Sequence, residues 1–141
     1  MKTPFDCNRA ILCHFDTYSA ALLFARFGTS VLVPSPLQEE ASVASPPADC
    51  GDEYAPATVL DALASDFGLD TTQWSGVEGF QEWRVHADVP TRIHLFRFTG
   101  FEAPHAVMEA LGGAFKPISQ MRGTPMVELN LLRQAFNLFV G

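Results

Sequence analysis

The segment "RVHADVPTRIHLFRF", residues 84–98, alternates polar and apolar side chains on either side of a proline-containing turn. A period of two is the signature of paired strands, so this stretch predicts a β-hairpin and obliges the rest of the chain to supply a sheet for it. Trp83, Val85, Ala87 and Val89 fall on one face of the first strand, and Arg84, His86 and Asp88 on the other. If the return strand keeps Ile93 and Leu95 with the apolar set, His86 and His94 share a face, opposite each other or one diagonal apart. His94, Phe96 and Phe98 follow at spacings of two and present rings in a row.

The flanking elements follow from caps and spacing. Thr3, Pro4 and Asp6 make a capped start, and Ile11, Phe15, Tyr18 and Leu22 then recur at helical spacing up to Gly28, which predicts an N-terminal helix. "TSVLVP" reads as a short strand closed by Pro34. "ATVLDALASDFGL" is amphipathic, with Val59, Leu60, Leu63 and Phe67 on one side and Gly68 as the stop. "APHAVMEALGG" predicts a second short helix, and "AFKPISQM" a strand that Pro117 confines to an edge or bulge. Thr124 and Pro125 open a C-terminal helix, "MVELNLLRQAFNLFV".

Without its terminal helices this order is strand, helix, strand, strand, helix, strand. It predicts an α+β fold with a ferredoxin-like βαββαβ core, an antiparallel sheet, and additional N-terminal and C-terminal helices. Residues 1–141 are expected to form a single domain, since a chain of 141 residues with 48% hydrophobic content can bury a proper core. Within it, residues 34–56 hold five of the ten prolines and five acids with no base, which predicts a flexible acidic loop.

Charge and cysteine content narrow the setting. A net charge of -7 opposes attraction to nucleic-acid phosphates or anionic membranes, so neither is an expected partner. The first strand also offers no aromatic companion to Phe96 and Phe98 for base stacking. The longest uncharged N-terminal run is too short for a bilayer span, and Pro4, Asp6 and Arg9 interrupt any signal-like core, so the cytoplasm is the expected location. Cys7, Cys13 and Cys50 give an odd count with no CxxC spacing, which suggests neither a disulfide framework nor a zinc knuckle.

The chemistry-bearing candidates are few. His86, His94, Phe96, Phe98 and Trp83 are the expected ligand-binding residues. Asp88, Glu102 and His105 stand at no recognised ligand spacing, so no metal site is expected, and no cofactor motif occurs. Arg122 and Lys116, beside a helix start, are the minimum for an anion site. Cys13 and His14, adjacent on a helix, would point apart and form no nucleophile–base pair. Glu39, Glu40, Asp52 and Glu53 read as solvated charge in the loop. Both terminal helices carry more apolar surface than one packing face uses, which points to self-association as a homodimer. The expected function is a small non-catalytic domain binding a partner protein or small ligand. The alternative is an enzyme on a dimeric ferredoxin-like scaffold, with His86 or His94 as acid or base in an aromatic-lined pocket.

Overall fold

The computed structural model describes residues 3–16, 18–37, 41–48 and 51–140. Thr3 does form a capping box: Phe5 N donates to its hydroxyl at 3.1 Å, and its own N–H donates to Asp6 Oδ2 at 2.9 Å. The box opens only a short 3₁₀ turn, Pro4–Asp6. Two antiparallel strands follow, β1 (Asn8–Asp16) and β2 (Ala21–Arg26), where the spacing predicted a helix. The reason lies in "AILC", which is buried on both sides, Ile11 and Cys13 in one cluster and Ala10 and Leu12 in the other. A strand covered on both faces has no polar residues to reveal its period, so helical spacing can arise by coincidence.

"TSVLVP" is the converse case. Val31 and Leu32 are fully buried, yet the segment makes only isolated bridges, Phe27 with Ser30 and Ala10 with Val33. Inside residues 34–56 the structure places a short strand, β3 (Ser42–Ala44), and Glu39, Glu40 and Cys50 lie outside the described residues. Helix α1 (Pro56–Phe67) buries Val59, Ala62 and Leu63, and Gly68 ends it in the left-handed conformation at φ 69°. β4 (Trp74–Gly76), β5 (Glu82–His86) and β6 (Val89–Phe98) come next, then α2 (His105–Ala110), β7 (Ala114–Pro117) and α3 (Met126–Val140).

Among the described residues these seven strands form one mixed sheet in the order β3-β5-β6-β1-β2-β7, with β4 beside the far half of β6. β1 and β6 run parallel at its centre, and every other pairing is antiparallel. The ferredoxin-like plan is therefore incorrect. Reading β1 and β2 as a helix removed two inner strands from the sheet and hid the parallel pair. β7 is an edge strand, as its proline requires.

Both sheet faces are covered. Ala10, Leu12, Phe96 and Phe115 pack with Val59 and Leu63 of α1 and Met108 of α2. On the other face Ile11, Phe24, Ile93 and Leu95 pack with Leu131, Leu132 and Ala135 of α3. The C-terminal helix thus applies most of its apolar surface to its own sheet. No helix among the described residues is long and apolar enough to cross a membrane.

Candidate functional site

The β5–β6 turn decides where the hairpin side chains go. Ala87 and Asp88 occupy it with φ of 50° and 64°, so it is a two-residue turn, and Pro90 lies in β6 opposite Val85. His86 pairs with Val89 and Glu82 with Ile93, so even positions of β5 share a face with odd positions of β6. His86 and His94 consequently lie on opposite faces, and the histidine pair is not formed. The expected register put Ile93 and Leu95 with Trp83 and Val85 to keep one face apolar and left Arg84 on the polar one, whereas Arg84 and Trp83 are each only 4% exposed. With both faces covered, alternation no longer fixes register.

His94 shares a face with Trp83, Phe96 and Phe98, and the expected row of rings exists. Its ring stacks on Phe96 at 5.6 Å and 6°. Trp83 packs edge-on against Tyr54 at 4.8 Å, and Phe98 sits between Trp74 and His14 at 5.2 and 6.1 Å. Asn8 holds the histidine: its side-chain amide donates to Pro4 O and Glu53 O, each at 2.8 Å, which leaves Oδ1 to meet His94 Nε2 at 2.7 Å. Because Oδ1 can only accept, Nε2 carries the proton. Burial, reinforced by the Arg92 charge, pushes the His94 pKa down to about 3, so the ring is neutral and fixed. Such a group ties β1, β6 and the approach to α1 together. It is poorly suited to moving protons near neutral pH.

The opposite face brings together charges that no local sequence pattern associates. A cavity of about 340 Å³ is lined by Arg9, Arg84, His86, Thr91 and Asp6, with Leu37, Ala41 and Val89 among its apolar lining. Arg9 and Arg84 arrive from β1 and β5, on either side of β6. Arg84 donates Nη1 to Trp83 O at 2.8 Å and meets Glu82 at 3.5 Å, while its buried Nε has no hydrogen-bond partner. Arg9 donates to the carbonyls of Phe5, Asn8 and Ser35, and its burial holds its pKa below the ordinary value. Arg84 offers a forked donor edge to a carboxylate or phosphate, while Arg9, with Nε and Nη1 committed to carbonyls, offers Nη2.

Lys116 lies in β7 opposite Phe24, and Arg122 is exposed before α3, where its carbonyl accepts from Arg26. Neither lines the clefts described here. The Thr124 hydroxyl is buried without a hydrogen-bond partner, and Pro125 O accepts from the N–H groups of Glu128 and Leu129 in the first turn of α3. Cys13 and His14 do point apart, as neighbours on a strand rather than a helix, and burial pushes the Cys13 thiol up to about 12. Among the described residues no cluster of three His, Cys, Asp or Glu residues could hold a metal ion. No protein-family model matches the chain, and no curated protein does.

Proposed function

We propose that the protein is a non-catalytic binding domain whose ligand is a small carboxylate- or phosphate-bearing molecule, held between Arg9, Arg84 and His86. One observation carries this reading: the 4% exposed Arg84 guanidinium at a cavity wall, with its Nε unsatisfied and a single carboxylate 3.5 Å away. A buried cation left incompletely paired is costly, and an anionic ligand would complete it. His94 supports the non-catalytic reading, being neutral and committed to Asn8. Cys13, a buried free thiol, supports a reducing cytoplasmic setting.

Calorimetric titration with inorganic phosphate and with short dicarboxylates tests the assignment. Saturable binding is expected, weakened at least about tenfold by Arg84→Met, which retains much of the volume and removes the charge. Asp6→Asn removes an opposing charge from the lining and is expected to tighten binding. Heats indistinguishable from dilution for every probe would contradict the assignment.

Self-association belongs to the same proposal in reduced form. The N-terminal half of its motive is gone, since that segment is inner sheet, but Phe136 and Leu138 stay 37% and 45% exposed on α3. Two residues apart on a helix, these side chains flank its buried stripe on opposite edges, so a second copy against the Phe136 edge predicts a dimer in sedimentation velocity that Phe136→Glu dissociates. A concentration-independent monomer would contradict it.

A further inference from the structure

On the α1 and α2 side of the sheet, Asp16, Tyr18, Leu23, Phe101, Glu102 and His105 line a cleft of about 320 Å³ around His14. Its floor is His14, only 2% exposed, which lies beside Leu23 of β2. His14 Nε2 is 3.1 Å from the carbonyl oxygen of Gly100, and a carbonyl can only accept, so Nε2 carries the proton. A Cβ at Gly100 would run into the Phe98 ring, so glycine lets this backbone pack against Phe98. In the neutral ring Nδ1 is then a bare lone pair, and it is buried and without a hydrogen-bond partner. A buried acceptor in that state calls for a donor.

The walls specify which donor. Asp16 and Glu102 line the cleft together with His105 of α2, and among the described residues no lysine or arginine does. Tyr18 N–H and the Ser19 hydroxyl donate to Asp16, which holds its carboxyl below the ordinary value and the charge in place. Each carboxylate oxygen keeps a further lone pair for a ligand. At the rim Tyr18 and Phe101 stand 83% and 70% exposed, packed edge-on at 5.6 Å. Exposed paired rings beside carboxylates are the elements from which cation–π recognition is built.

We propose that this cleft is a second binding site, independent of the anion cavity, and that it takes a small primary or secondary organic ammonium ion. The ammonium N–H would donate to His14 Nδ1, its charge would lie by Asp16 and Glu102, and its organic part against Tyr18 and Phe101. A quaternary ammonium has no N–H and cannot satisfy His14.

NMR titration of the intact protein with benzylammonium chloride, read at the His14 ring nitrogens, tests this, with benzyltrimethylammonium and benzoate as controls at matched ionic strength. Benzylammonium is expected to shift the Nδ1 signal saturably, with a Kd on the order of 1 mM for so small a probe. The trimethylated ion is expected to bind at least about tenfold more weakly, and Glu102→Gln and Phe101→Ala, both on the surface, to weaken benzylammonium several-fold. Absence of saturable binding, equal binding of the trimethylated ion, or saturation that leaves Nδ1 unmoved would each overturn the proposal.

Discussion

Between pH 7 and pH 5 the protein is expected to lose about 2 kcal/mol of folding free energy through His94, whose pKa moves from 6.5 to about 3 on folding. Because the folded value is the lower one, the native state favours the neutral ring. The contribution is whole above the unfolded value near 6.5 and disappears as pH falls from there toward 3. Urea denaturation across that range checks it. His94→Gln keeps a donor for Asn8 Oδ1 and should remove this part of the slope. His94→Ala should lower stability at pH 8 by about 3–5 kcal/mol, since it opens a cavity against Phe96 and strands the Asn8 oxygen. If His94→Gln keeps the full acid slope, some other group is responsible.

Glu128 carries the second large effect, with the opposite pH sign. It is 1% exposed in α3, and its carboxyl accepts from Val31 N at 2.7 Å and from the Ser30 hydroxyl at 3.0 and 3.1 Å. It thereby fastens the helix to the irregular segment after β2. Burial raises its pKa, against the pull of those hydrogen bonds. A raised carboxyl value favours the protonated form in the native state. Its contribution is therefore present below the unfolded value near 4.5 and is lost as pH rises through the folded one. Glu128→Ala should cost about 2–4 kcal/mol by leaving the Val31 N–H without its acceptor. Glu128→Gln keeps an acceptor and should cost less, with the gap to the unmodified protein narrowing as pH rises. Unchanged stability in Glu128→Ala would contradict the role given to this carboxyl.

Elements whose signals are local were legible in the sequence. Gly68 stops α1, Pro117 marks an edge strand, and the β5–β6 pair shows in its alternation. What local pattern could not show was which segments share the sheet. The Thr3 capping box is real, but a cap specifies how a turn begins and not how far a helix runs. Ile11 to Cys13 are buried on both sides by segments distant in sequence, and the parallel pairing of β1 with β6 is a tertiary fact. The candidate site was illegible for the same reason. Arg84 looks like an outward residue of an alternating strand, and only the turn at Ala87 and Asp88 places it inward. Arg9 reaches the same cavity because β1 and β5 both flank β6. His86, expected beside a second histidine, instead lines a cavity with two arginines.

The proposed anion site rests on the unsatisfied Nε–H of Arg84, and that proton can be observed directly. In protein labelled with ¹⁵N-arginine, the Arg84 Nε–H resonance, assigned by its loss in Arg84→Met, should shift and exchange more slowly with solvent as phosphate or a dicarboxylate is added. The Arg97 Nε–H, whose guanidinium lies over Phe15 and Phe139 on the α3 side, serves as the internal reference and should not move. An Arg84 resonance that stays in place while those anions reach saturating concentrations for an arginine pocket would contradict the account.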